Sequence, residues 1–392
     1  LKKKVSVEPA YRIRHLPPYL FAEIDRMKQK EKKKGTDLID LSIGDPDIPT
    51  PKHIVKAMKR AVENPAHHRY PSYEGMLPYR EAVAQWYKKR FDVVLSPENE
   101  VLSLIGSKEG IGHIPLAFVN QGDIVLVPSP GYPVYAVGTL FAGGKSHFMP
   151  LLEKNGFLPD LEKIPVAVLK KAKLMFINYP NNPTAAGADA KFFRKVIRLA
   201  RQYNIIVCHD ASYTEIFYEK RPLSFMEIPG ARDVGIEFHS LSKTYNMTGW
   251  RIGHAVGNKD ILAGLGKIKT NIDSGVFQAV QEAAITALDT DDRVLSAIRK
   301  TYRERRDTLC EGLTKLGLSL RKPDATFYIW ARVPSRFNSM SFVAHILNKA
   351  GVLTTPGNGF GAAGEGYVRF ALTAPVHRIH EAVERIGKSL TY

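Results

Sequence analysis

With 392 residues, 44% of them hydrophobic and 24% charged, the chain can bury a large core and hold two domains, and no apolar run is long enough to span a bilayer. Its formal net charge of +17 is spread over many segments, without regularly interleaved aromatics and without a zinc-finger or RNA-binding signature. Solvated helix faces that also attract anionic substrates are therefore expected, and nucleic acid is not.

Residues 1–14 read as a basic arm, and Leu1-Lys2-Lys3-Lys4 is followed by no apolar segment of the kind a signal peptide needs. Leu16-Pro17-Pro18-Tyr19-Leu20-Phe21 opens a helix running to about Lys33, with Leu20, Ile24 and Met27 on one apolar face. Residues 40–51 form a short strand and then a loop dense in Gly, Pro and Asp. Such a loop either offers backbone groups to a substrate, those of Gly44 among them, or is a plain connector. Helices over 52–63 and 79–91 follow, and then strands at 101–105, 123–127, 174–177, 205–208, 235–238 and 252–256. Several are continuous Val, Ile and Leu runs, as expected of strands covered on both faces, and helices at 108–119 and 189–203 lie between them. The pattern predicts an α/β fold: a large domain over residues 50–282 with a mainly parallel sheet and helices on both faces. A long amphipathic helix over 291–316, strands at 325–330 and 367–372, a helix at 341–350 and a final helix to about Ser389 come next. Together with residues 1–49, residues 283–392 are assigned to a smaller, discontinuous α/β domain. The two cysteines, Cys208 in a strand and Cys310 in a helix, form no CxxC pair and no metal spacing. That predicts no metal site and fits a reducing, cytoplasmic setting.

In a parallel α/β sheet, ligands sit beyond the carboxyl ends of the strands. After the 101–105 strand, Gly106-Ser107-Lys108-Glu109-Gly110 opens a helix whose hydroxyl and free amides suit a phosphate, although Gly-Ser is also a common cap. After the 123–127 strand, Ser129-Pro130-Gly131-Tyr132-Pro133 presents a phenol that either stacks on a planar ring or packs in the core. Asn178-Tyr179-Pro180-Asn181-Asn182-Pro183-Thr184 then brings amide side chains to the same edge. Asp210, with Tyr213 three positions on, closes the next strand, where an isolated carboxylate would be costly. Ser240-Leu241-Ser242-Lys243, with Arg251 eight positions later, closes the fifth. An isolated lysine there reads as solvated; beside hydroxyls and an arginine it reads as a Schiff-base lysine next to a phosphate site. Together the five ends fit pyridoxal phosphate chemistry, which needs an amine, an acid for the pyridinium nitrogen and a phosphate cradle. Arg369, mid-strand in Tyr367-Val368-Arg369-Phe370-Ala371-Leu372, is either a paired structural residue or a fork for a substrate carboxylate.

Asn182-Pro183-Thr184, Asp210-x-x-Tyr213, Ser240-x-Ser242-Lys243 with Arg251, and Arg369 resemble the class I/II aminotransferases of fold type I, over nearly the whole chain and in the right order. The resemblance implies that Lys243 carries the cofactor, and that Asp210 and Tyr213 meet its ring nitrogen and 3′-oxygen, with Asn182 beside that oxygen. It implies that Tyr132 stacks on the ring, that Ser107, Lys108, Ser240 and Arg251 hold the phosphate, and that Arg369 binds the substrate α-carboxylate. Tyr70 matches a tyrosine reaching the phosphate of a neighbouring subunit, which implies a homodimer with shared active sites.

The stretches 16–21, 106–110, 239–253 and Thr355-Pro356-Gly357-Asn358-Gly359-Phe360-Gly361 resemble the branch of that family that works on LL-2,6-diaminopimelate and 2-oxoglutarate in lysine biosynthesis. By matching position, Tyr19, Lys108, Tyr132 and Asn271 are expected near the far end of that long substrate, with Gly44 and Asn182 among its contacts. Tyr73 and Glu74 depart from the acid-bearing motif of the better-known branch. Ala185-Ala186 stand where the family usually continues with Gly, which predicts a slightly reshaped turn after Thr184. The core motifs alone also admit alanine, aspartate or aromatic aminotransferases and a β-lyase of the same fold. A regulatory protein retaining the fold would need an added DNA-binding domain, and no helix-turn-helix segment precedes Pro17.

Overall fold

A computed structural model describes residues 5–17 and 20–390. In chain order the strands are β1 (Ile39–Asp40), β2 (Val101–Leu104), β3 (Ile124–Ser129), β4 (Lys145–Pro150), β5 (Ala172–Asn178), β6 (Ile206–Asp210), β7 (Gly235–Ser240), β8 (Gly253–Gly257), β9 (Tyr328–Arg332), β10 (Val352–Leu353), β11 (Thr355–Pro356) and β12 (Tyr367–Ala371). Seven of them make one sheet in the order β2-β8-β7-β6-β5-β3-β4. The pairings from β7 through β6, β5 and β3 to β4 are parallel, and β8 alone runs against both of its neighbours.

Side-chain alternation splits the core across this sheet. Val125, Val127, Leu174, Phe176, Ile236 and Phe238 pack with Ile111 and Ile114 of helix Ser107–Phe118 and with Leu262 and Leu265 of helix Lys259–Ile272. Leu126, Met175, Ile177 and Val207 face the other way, onto Trp86 of helix Leu77–Phe91 and Phe193 and Val196 of helix Ala190–Tyr203. Covered on both faces, β3 and β5 carry the apolar runs Ile-Val-Leu-Val and Leu-Met-Phe-Ile, whereas β7 interleaves the buried polar residues Glu237 and His239. The edge strand β4, Lys-Ser-His-Phe-Met-Pro, buries only Met149 fully, so it carries no such run and gave no signal.

Helix ends follow local chemistry. The Asp189 side chain accepts from the Phe192 amide, and that of Asn258 accepts from the amides of Asp260 and Ile261. The parallel pair β1–β10 ties residues 39–40 to 352–353, and β11-β12-β9 form an antiparallel sheet with β12 in the middle. Every residue of β12 is buried, so Arg369 is not an edge residue. The loop after Thr184 corrects the expected reshaping. Ala185 takes a left-handed backbone at φ +57°, its N–H donating to the Asn181 carbonyl and the Asn181 N–H to the Ala186 carbonyl, both at 2.9 Å. Alanine therefore takes the left-handed backbone itself and bears a cost of about 1–2 kcal/mol there.

Candidate active site

The carboxyl ends of the parallel strands and the amino end of β8 meet at one edge, where Ser240 lies opposite Gly253 and Gly253 opposite Leu104. Between this edge and the β11-β12-β9 sheet lies a cavity of about 400 Å³. Ser107, Lys108, Tyr132, Asn182, Asp210, Tyr213, Ser240, Lys243, Arg251, Arg369 and Gly44 all line it, as do Asp25, Ile43, Asp45, Ser212, Ser242, Thr248 and Tyr328. The five strand ends therefore converge on one space.

Lys243 sits in a single helical turn, Leu241–Thr244, which begins with the Ser240 hydroxyl accepting from the Ser242 amide. Its Nζ donates to the Gly44 carbonyl at 2.7 Å. A Cβ on Gly44 would lie 1.8 Å from the Tyr328 hydroxyl, so only glycine lets this loop come so close. Burial lowers the Lys243 ammonium to about 8, with Arg251 and Arg369 pushing the same way against Asp45 and Asp210. An ordinary lysine is almost wholly charged at neutral pH, whereas burial brings this one closer to losing its proton there. The rate at which cofactor-free enzyme takes up pyridoxal phosphate on Lys243 should rise with pH and level off above about 8. A rise continuing beyond pH 10 would show an ordinary lysine.

Asp210 is buried among donors. Its Oδ2 accepts from Tyr135 at 2.8 Å, and its Oδ1 from the Ser212 hydroxyl at 2.6 Å and the Ser212 amide at 3.2 Å. Asn178 braces this region, donating to the Asp210 carbonyl at 2.7 Å while its Oδ1 accepts from the Asn182 amide at 2.8 Å. The Tyr213 and Tyr328 hydroxyls lie 3.0 Å apart, and burial raises both phenols above the ordinary tyrosine range, Tyr213 well above it.

Around Ser107 the site is rich in hydroxyls and positive charge. The Ser107 and Ser212 hydroxyls are 3.2 Å apart, and the first amides of helix Ser107–Phe118 open onto the same end of the cavity. The Ser242 hydroxyl is buried with no hydrogen-bond partner among the described residues. Arg251 adopts φ +55°, and its Nη1 donates to the Thr248 carbonyl at 2.8 Å. A Cβ on Gly106 would meet Arg251 Nη2 at 2.4 Å, so a bare backbone there makes room for the guanidinium. Opposite, Arg369 is 1% exposed and lies over the Tyr328 ring at 4.2 Å and the Phe360 ring at 4.7 Å. It donates to Asn182 Oδ1 at 2.7 Å and to the Ser42 carbonyl at 2.5 Å.

Two expected residues stand apart from this cavity. Tyr70 is 87% exposed, and the exposed Asn271 donates to the Lys267 carbonyl at 2.8 Å. Tyr19 lies outside the described residues. No group of three or more His, Cys, Asp or Glu side chains is placed to hold a metal among the described residues, and no described helix is long and apolar enough to cross a membrane.

The aminotransferase class I and II family matches residues 36–386. The chain belongs to this family. It is 59% identical to the LL-diaminopimelate aminotransferase of Syntrophobacter fumaroxidans over 97% of this chain and 98% of that one. It is 57% identical to the enzyme of the same name from Aquifex aeolicus, over 96% and 97%. Among solved structures, substrate-bound BacF from Bacillus subtilis superposes with a TM-score of 0.94 at 40% identity, covering 98% of each chain. A probable N-succinyldiaminopimelate aminotransferase from Thermus thermophilus gives 0.90 at 37%, covering 94% of this chain and 100% of that one.

Class I and II aminotransferases use pyridoxal phosphate, and this aminotransferase has groups that fit it. The unpartnered Ser242 hydroxyl and the open helix amides suit a phosphate; the braced Asp210 suits a pyridinium; Lys243 suits an aldehyde. Ser212, Tyr135, Asp45 and Tyr328 are not singled out by the sequence, whereas Asn178 belongs to the amide-bearing turn expected at this edge. Ser212 lay in plain view inside Asp210-x-x-Tyr213, but Tyr135 and Tyr328 belong to apolar segments and look like ordinary core aromatics in sequence.

Proposed function

We propose that this aminotransferase moves an amino group between LL-2,6-diaminopimelate and 2-oxoglutarate, a step in making lysine, working in the cytoplasm as a homodimer. The observation that carries the substrate is the similarity, at 55–59% identity over nearly the full length, to relatives that bear that enzyme's name. Arg369, at the floor of the cavity beside Lys243, supports an α-amino or α-oxo acid as the group that enters. Buried, unpaired Cys208 and Cys310 suit a reducing compartment.

Pyridoxal phosphate, when bound, supplies an electron sink for the charge left at the substrate Cα. Ser107, Lys108, Ser240 and Arg251 would hold its phosphate, joined by Tyr70 reaching across from the neighbouring subunit, and Tyr132 would stack on its ring. Asp210, fixed by Tyr135 and Ser212, would keep a proton on the ring nitrogen by opposite charge. Tyr213 and Asn182, which line the same cavity, would serve the 3′-oxygen. Arg369 pairs with the α-carboxylate and so orients the Cα–H bond. Lys243 Nζ, its ammonium lowered by burial, would remove the Cα proton and deliver it again on the product side. Donor and acceptor occupy the same place in turn, so ping-pong kinetics are expected. Residues 50–282 would form the cofactor domain, and the flanking segments the part that bears Gly44 and Arg369.

A panel of amino donors with 2-oxoglutarate as acceptor tests this reading. Glutamate should form fastest from LL-diaminopimelate. Good rates from alanine, aspartate or phenylalanine with none from diaminopimelate would overturn the substrate, and pyruvate released without glutamate would mean a lyase.

A further inference from the structure

The cavity walls are strongly cationic, with Lys108, Lys243, Arg251 and Arg369 all facing in. Such walls suit the carboxylates of a dicarboxylic oxo acid. Three acids line it as well; Asp210 is held by Tyr135 and Ser212 and Asp45 stands near Lys243, which leaves one without a task. Asp25 also lines the cavity, and because it is exposed it stands at the mouth, whereas Arg369 is at the floor.

Four other acids of the N-terminal segment are tied up, and the exposed Glu23 does not line the cavity. Glu31 pairs with Lys34 and bonds Thr36; Asp37 pairs with Arg378 and Arg385; Asp40 pairs with Lys28; Asp47 pairs with Arg305. Asp45 feels the charge of Lys243. Asp25 makes no hydrogen bond and no ion pair among the described residues, although the chain carries a net +17. Its position is fixed all the same. It lies on helix Leu20–Lys33, whose Ile24 is 2% exposed in the core and whose Lys28 is anchored to Asp40 at 2.6 Å.

We propose that Asp25 is a specificity residue that receives the far ammonium of a diamino dicarboxylic substrate at the mouth of the cavity. This rests on the substrate reading given above. With the α-carboxylate on Arg369 and the reacting amine at Lys243, a long substrate extends from floor to mouth. A carboxylate there favours a long donor whose far end is also cationic over one of the same length that ends in a carboxylate alone. LL-diaminopimelate has that ammonium. L-glutamate and 2-aminopimelate, a seven-carbon diacid with one amino group, lack it.

The test uses the holoenzyme and Asp25→Asn, which changes an exposed side chain that makes no hydrogen bond or ion pair among the described residues. The kcat/KM for LL-diaminopimelate should fall about tenfold more than that for 2-aminopimelate or L-glutamate, through KM with kcat little altered. Equal losses on all three donors, or no loss on LL-diaminopimelate, would overturn the role of Asp25 while the substrate reading stands. A wild-type enzyme that turns over 2-aminopimelate but not LL-diaminopimelate would overturn both.

Discussion

Lys243→Ala loses turnover by about a thousandfold or more, the scale expected when a positioned proton-transfer group is removed. The protein should remain folded. Lys243 makes one side-chain hydrogen bond, to the Gly44 carbonyl, and burial disfavours its charge, so alanine removes a group that the fold holds at a cost. Pyridoxal phosphate should still bind through the hydroxyls, Arg251 and Asp210, but without the absorption band of lysine-linked cofactor. Steady-state rates, the visible spectrum and a thermal melt check the three parts. A variant retaining more than a tenth of wild-type kcat would remove Lys243 from proton transfer.

Arg369→Ala lowers kcat/KM by about 10²–10³-fold, the loss typical of deleting one partner of a buried, hydrogen-bonded charge pair. The loss should be similar for diaminopimelate, glutamate and 2-oxoglutarate, because the α-carboxylate is their common part. Arg369→Lys should recover little. A lysine cannot reproduce the fork that reaches Asn182 Oδ1 and the Ser42 carbonyl at once while lying flat on Tyr328. Some stability is also lost in the alanine variant, since those bonds link β12 to the N-terminal segment and to the loop after β5. A defect confined to one substrate, with the others at wild-type kcat/KM, would place Arg369 away from the common carboxylate.

Strands β3 and β5 are legible because both faces are covered and the sequence shows apolar runs; β4, an edge strand with only Met149 fully buried, has none. The ends of those strands were legible for a related reason. Polar residues that interrupt an apolar run are conspicuous, so Asn182, Asp210, Lys243 and Arg251 could be picked out before any geometry was known. Their supports could not. Tyr135 holds Asp210, and Tyr328 underlies Arg369, but each is an aromatic among aromatics until the chain is folded. Ala185 shows the opposite failure. Local propensity argues against a left-handed alanine, yet the turn that carries Asn182 imposes one. Tyr70 and Asn271 were singled out by matching position alone, and both lie on exposed surface of the single chain.

The most direct measurement is to reduce the holoenzyme with borohydride, digest it and locate the pyridoxyl group by mass spectrometry. The label is expected on Lys243, in the peptide containing Ser240 to Arg251. A label on Lys108 or any other lysine, with Lys243 unmodified, would contradict the site described above.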